Sequence, residues 1–156
     1  MVESAPPGDP VSSIMSTKVV TVRPTDKVSK ALQMMVRHRI GSIIVIEKGK
    51  PVGILTERDI STKVAKGQKV RGMVVKSMMS KPLVTIGPSV EVSQAVEQMV
   101  RKDIRRLPVM EGNKLVGMVT ERDVFRYLIS VSYAPNMPED LRKLIETRTQ
   151  AHALAQ

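Results

Sequence analysis

A chain of 156 residues with 42% hydrophobic content can form one ordinary domain, or two small ones sharing a core. It has no cysteine and only His38 and His152, which excludes disulfides, cysteine nucleophiles, thiolate or histidine-built metal centres and a serine–histidine triad. Twenty-five Lys and Arg against fifteen Asp and Glu give +10, a charge that implies polyanionic company: nucleotides, nucleic acid or an acidic protein surface.

Residues 1–10 are polar and proline-rich and lack the basic-then-apolar run of a secretory signal, so a flexible arm in a cytoplasmic protein is expected. No window approaches the ~20 apolar residues of a membrane span, and no membrane association is expected. Val19–Val22 is a β-prone run halted by Pro24, after which Thr25 and Asp26 offer helix caps. Val28, Ala31, Leu32, Met35 and Val36 then recur at helical spacing. Ser42–Ile46 reads as a buried strand, Glu47–Lys50 as a tight turn and Val52–Leu55 as the strand that pairs back. Thr56 opens a helix to about Lys66, with Gly67 as its stop.

Residues 67–76 form a basic linker. It lies in the stretch between Asp59 and Glu91, residues 60–90, which holds Lys63, Lys66, Lys69, Arg71, Lys76 and Lys81 and no acid, a candidate polyanion-binding surface. The strand–helix–strand–strand–helix order then returns. Leu83–Ile86 is the strand, Ser89 the cap, and Val92, Ala95, Val96, Met99 and Val100 the helical stripe. Leu107–Met110 and Val116–Val119 make the hairpin, and Thr120 opens a helix to about Ile129. Residues 131–156 read as an amphipathic helical tail, with Pro138 in its first turn and Leu141, Leu144 and Ile145 on one stripe.

The return is a duplication. Ile14–Ile60 aligns with Met78–Val124 without a gap, with 21 identities in 47 positions. Two copies of one unit, at residues 11–66 and 77–130, are expected to pack about an approximate two-fold axis, and a site carried by the unit should occur twice. Gly53-Ile54-Leu55-Thr56-Glu57-Arg58-Asp59 recurs as Gly117-Met118-Val119-Thr120-Glu121-Arg122-Asp123.

Four features carry a resemblance: the Ile-Met-Ser and Met-Met-Ser lead-ins, the Val-Thr-Val/Ile-x-Pro strands, the Ile-Arg-Arg-Leu-Pro-Val-type strand, and the closing Gly-x-x-Thr-Glu-Arg-Asp. Together, over about residues 11–129, they resemble a tandem pair of cystathionine-β-synthase (CBS) domains, a Bateman module. The resemblance implies an α/β (α+β) fold in which two β-α-β-β-α repeats pack as a pseudo-two-fold disc, with the C-terminal helix as an appendage. It also implies clefts for adenosine nucleotides, a sensor rather than an enzyme, and a homodimer.

On that resemblance Asp59 and Asp123 accept the ribose hydroxyls, and Thr56 and Thr120 meet phosphate beside free helix N–H groups. Adenine walls are placed at Ile14, Met15, Met78, Met79, Ile40 and Ile104, with backbone around Thr21 and Thr85 reading its edge. Thr-x-x-Asp is equally a capping pattern, and Arg58 and Arg122 are either phosphate partners or exposed first-turn charges. The second copy has Arg105-Arg106 where the first has Gly41-Ser42, which predicts unequal affinity for a phosphate tail. Two functions are expected. One is an AMP-, ADP- or ATP-sensing module that signals to a partner in trans, with no required cofactor and with S-adenosylmethionine as another adenosine ligand. The other is a basic RNA- or ribosome-binding protein that uses the pair as scaffold.

Overall fold

A computed structural model of the chain describes residues 8–81, 83–133, 139, 140 and 143. The elements are β1 (Thr21–Val22), α1 (Val28–His38), β2 (Ser42–Glu47), β3 (Lys50–Thr56), α2 (Glu57–Ala65), α3 (Val92–Lys102), β4 (Arg106–Glu111), β5 (Lys114–Thr120) and α4 (Glu121–Tyr133). The mixed α+β architecture follows from the stripes and hairpins. The tail expected over 131–156 lies almost wholly outside the described residues.

Two compact units emerge. One gathers the described residues between 19 and 84 with 113–115. The other holds 8–18, 85–112 and those from 116 on. In the first, β2 is central, parallel to β1 and antiparallel to β3, with Ser42 opposite Thr56 and a bulge at Val45/Ile46. Four successive β2 residues, Ser42–Val45, are buried; Ile43 and Val45, on one face, share a core with Val28, Ala31 and Met35 of helix α1. Each fully buried Val or Met stabilises the unit by roughly 1.5–3 kcal/mol over exposure.

The stretch read as a basic linker is part of this core. Val70 and Val75 enter it from two short 3-10 turns, while Lys69, Arg71 and Lys76 stay exposed. Backbone bonds tie it down, with Val28 N donating to Met73 O at 2.9 Å and Val75 N to Asp26 O at 2.8 Å. An alternation of apolar and basic residues places one set inside and the other in water.

The second unit packs the chain's beginning in the equivalent way. Val11 N donates to Val90 O at 2.8 Å and Val92 N to Asp9 O at 3.0 Å. The Tyr127 hydroxyl donates to the Asp9 carboxylate, which pushes that phenol above its usual range. Leu107, Val109, Val119 and Val124 are buried with Val92, Ala95 and Met99 of α3.

Two local expectations are corrected. Leu83–Ile86 does not form a strand: it makes a single parallel bridge, Ile86 to Val109, because Pro108 stands where Ile44 of the first copy donates its N–H to Val20 O, and proline has no N–H to offer Val84. Thr25, Asp26 and Ser89 are not N-caps either. The cap positions fall to Lys27 and Glu91, neither with a side-chain cap bond. Asp26 closes a turn instead, its Oδ2 accepting from Arg23 N at 2.8 Å and its Oδ1 from Lys30 Nζ at 2.9 Å.

Those bonds, the Arg23 amide first and Lys30 next, hold the Asp26 carboxyl below its ordinary value. A depressed folded value stabilises fully above the unfolded aspartate value of ~3.9, and the gain is lost as pH falls through the lowered one. Asp26→Asn is therefore expected to remove part of the acid-side loss of stability. Urea melts of both proteins between neutral pH and pH ~3 check this, and parallel curves would contradict it.

Candidate functional site

Both Gly-x-x-Thr-Glu-Arg-Asp motifs sit where a strand ends and a helix begins. In the first unit Thr56 is the N-cap of α2. Its Oγ1 accepts from Asp59 N at 3.1 Å, while Asp59 Oδ2 accepts from Thr56 N and Oγ1, both at 2.8 Å. The capping reading is thus correct, and it leaves Oδ1 outside the cap. That oxygen accepts from Ser80 Oγ at 3.1 Å. The second unit repeats the cap, with Asp123 Oδ2 accepting from Thr120 N at 2.8 Å and Oγ1 at 2.7 Å. All four side chains are half-buried, neither withdrawn into the core nor fully in water.

Ser80 arrives by antiparallel pairing: its N–H donates to Ile54 O at 2.8 Å and it accepts from Ile54 N at 3.3 Å. In the second unit Ser16 exchanges the same two bonds with Met118, each at 2.9 Å. Glycine makes that approach feasible. A Cβ on Gly53 would lie 2.8 Å from Met79 Sδ and 3.0 Å from Ser80 O. On Gly117 the distances are 2.5 Å to Met15 Sδ and 2.9 Å to Ser16 O. The motif's glycine admits the Met-Ser lead-in, and its Thr and Asp frame the helix mouth beside it.

Met78 and Met79 therefore accompany Thr56 and Asp59, whereas Ile14 and Met15 accompany Thr120 and Asp123. Ile40 and Ile104, half-buried, follow the left-handed residues Arg39 and Asp103 that end α1 and α3. The helix mouths are tied to the next strands, Glu57 N donating to Gly41 O at 3.0 Å and Glu121 N to Arg105 O at 2.9 Å. Each unit thus collects its own set of apolar, carboxylate and helix-end groups. Thr21 lies farther off: it is in register with Ile44, two pairs along from Ser42–Thr56, and lines a separate cavity. Thr85 is exposed beside the Ile86 bridge.

Arg58 and Arg122 are exposed at the first turns of α2 and α4. Arg105 meets Glu121 only at 3.9 Å, both side chains more than two-thirds exposed, so little holds it in place. Arg106 is half-buried at the start of β4. Of the candidate polyanion-binding set, Lys63 is half-buried and Lys66, Lys69, Arg71, Lys76 and Lys81 are exposed. Ser16, Ser80 and the two glycines were not singled out as site groups by sequence reasoning. Their signal was present: Met-Ser and Gly recur at matching positions of both copies.

Among the described residues no group of three or more His, Asp or Glu is arranged to hold a metal, and no helix is long and apolar enough to cross a membrane. The chain is 35% identical over 142 residues to an uncharacterised protein of Methanopyrus kandleri, spanning 87% of this chain and 70% of that one. It is similar to the crystal structure of CBSX2 in complex with AMP, with 25% identity, a TM-score of 0.71, and coverage of 80% and 99% of the two chains. It is similar also to the CBS domain pair of protein MJ0100 in complex with 5′-methylthioadenosine and S-adenosyl-L-methionine, with 25% identity, a TM-score of 0.70, and coverage of 76% and 98%. The CBS domain profile matches residues 11–66 and again 75–130, well over half of the sequence. The chain belongs to the CBS domain family and carries two CBS repeats in tandem.

Proposed function

We infer that the protein is a cytoplasmic regulatory module that binds an adenosine nucleotide at the Thr-x-x-Asp helix mouths and signals to a partner in trans. The observation that carries this reading is the doubled construction: a capped helix mouth, a carboxylate oxygen outside the cap, and a methionine–serine lead-in at hand, built the same way twice. The AMP complex of a similar chain supports the ligand class. Asp59 and Asp123 take the ribose hydroxyls through Oδ1, Thr56 and Thr120 with the adjoining N–H groups face phosphate, and the lead-in methionines with Ile40 and Ile104 flank the base. Thr21 and Thr85 act only through neighbouring backbone.

The site groups favour anions over a sulfonium. Arg105, loosely held, and Arg106 offer a phosphate two planar donors that Gly41 and Ser42 lack, so AMP, ADP or ATP is the expected ligand class and the second unit the tighter site. Phe125, Leu128 and Val131, exposed at three-residue spacing along α4, support self-association as a homodimer. Ligand and partner must affect each other's affinity reciprocally, by about 1–3 kcal/mol in typical couplings.

Isothermal titration calorimetry with AMP, ADP, ATP and S-adenosylmethionine, at low and physiological salt, tests the reading. Micromolar binding of a phosphate-bearing ligand that survives physiological salt supports it. Absence of binding by all four overturns it, leaving the repeats as scaffold and the basic set of Lys63, Lys66, Lys69, Arg71, Lys76 and Lys81 as an RNA- or ribosome-binding surface, which a pull-down then measures.

A further inference from the structure

The duplication provides an internal control. Where one copy has acquired charges that the other lacks, and where those charges surround one cavity, the shared fold does not account for them. One such place stands out. At the end of the first unit's sheet remote from Thr56, beyond the close of β1 and β2, lies a cavity of about 730 Å³. Its walls include Arg23, Asp26, Lys30 and Lys48. The aligned residues of the second copy are Gly87, Val90, Gln94 and Gly112, none of them charged.

The acid among the four is already used. Asp26 accepts from Lys30 Nζ at 2.9 Å and from the Arg23 amide at 2.8 Å. Glu47, also on the wall, stands in register with Lys50, and that Glu–Lys pair recurs in the second copy as Glu111 and Lys114. What the first copy adds beyond compensation is the side chains of Arg23 and Lys48, exposed on two different loops that converge on one cavity.

Lys48 is there against its backbone preference. It has φ of +51° in the turn between β2 and β3, followed by Gly49 at +77°, a pair of left-handed residues of the type I′ pattern. That turn favours Asn, Asp or Gly at its first position, and the second copy has Gly112 there, at +59°. Arg39 and Asp103 share that left-handed region, so what sets Lys48 apart is its place on the wall of a cavity that also holds an arginine.

We propose that this cavity is a second ligand site, for a small phosphorylated metabolite whose phosphate is held by Arg23 and Lys48, with the Thr25 hydroxyl within the same wall. The volume lies in the range of small-molecule sites. Arginine gives a planar fork for phosphate and lysine a point charge. The paired Asp26 and Lys30 form the fixed side of the site. It is separate from the Thr56–Asp59 mouth, which lies at the opposite end of β2, and the two stand or fall independently.

The test is residue-resolved. Amide NMR spectra of the full chain are titrated with ribose 5-phosphate, with inorganic phosphate, and with ribose at equal ionic strength. Saturable shifts at Arg23, Thr25, Lys48 and Gly49 with both phosphate compounds and not with ribose are expected. Arg23→Gln combined with Lys48→Asn should weaken them by about tenfold or more. Lys48→Asn alone creates Asn-Gly, the preferred type I′ pair, so it should raise the melting temperature while losing affinity. That opposition separates a binding lysine from a structural one and rules out misfolding as the cause. The proposal is overturned by shifts that spread over exposed lysines without saturating, by shifts confined to the Thr56 mouth, or by binding that persists in the double variant.

Discussion

Gly117→Val is expected to destabilise the protein by about 2–4 kcal/mol in urea unfolding. A Cβ there would stand 2.5 Å from Met15 Sδ and 2.9 Å from Ser16 O. Methionine can swing away, but the Ser16 carbonyl belongs to a backbone bond with Met118 that must lengthen or break. Gly53→Val should act alike in the first unit, through Ser80 O at 3.0 Å. Gly72→Ala is the control: nothing lies within 4 Å of its Cβ position, so a change within about 0.5 kcal/mol is expected. Equal melts for Gly117→Val and Gly72→Ala would show that the lead-in does not need the close approach. Because Ser80 also donates to Asp59 Oδ1, Gly53→Val should disturb any ligand held there.

Asp123→Ala and Asp59→Ala should each show two separable effects. Loss of the reciprocal cap costs stability of roughly 1 kcal/mol, read from unfolding without ligand. Loss of the ribose-facing oxygen weakens nucleotide affinity by a further ~1.5–3 kcal/mol at that site, about ten- to a hundredfold, read by calorimetry on folded protein. Asn at either position retains a carbonyl oxygen for the cap but has no charge to offer the ribose, so it should recover stability more fully than affinity. Unchanged affinity in both alanine variants, alongside lowered stability, would reduce the aspartates to helix caps. The Asp123 variant should have the larger effect if Arg105 and Arg106 make the second site the tighter one.

The two predictions draw on different information. Thr-x-x-Asp was readable as a cap because capping is local: a hydroxyl, a carboxylate and the first free amides of a helix lie within four residues. The helical stripes of α1 and α3 were readable in part: Val28, Ala31 and Met35, like Val92, Ala95 and Met99, recur with the helix's own period and are buried, whereas Val36 and Val100, read on the same stripes, are exposed at the helix ends. Local propensity misjudged short edges. Val19–Val22 shrinks to Thr21–Val22, and Leu83–Ile86 to a single bridge, because a strand exists only where a neighbour supplies partners.

The sequence by itself determined the duplication, the order of elements in each copy, and the residue types gathered at each helix mouth. All of these depend on neighbours along the chain or on comparison of one copy with the other. Tertiary structure decided which lead-in serves which motif. Met15 and Ser16, contiguous with the first copy, pair with Met118 of the second, while Ser80 pairs with Ile54 of the first. No spacing rule could assign those partners, because the bonds join residues 102 and 26 positions apart and arise only once each glycine-bearing strand presents an edge. The same holds for the linker, whose Val70 and Val75 count as core only because α1 leaves an apolar face for them to cover, while Val74 stays exposed.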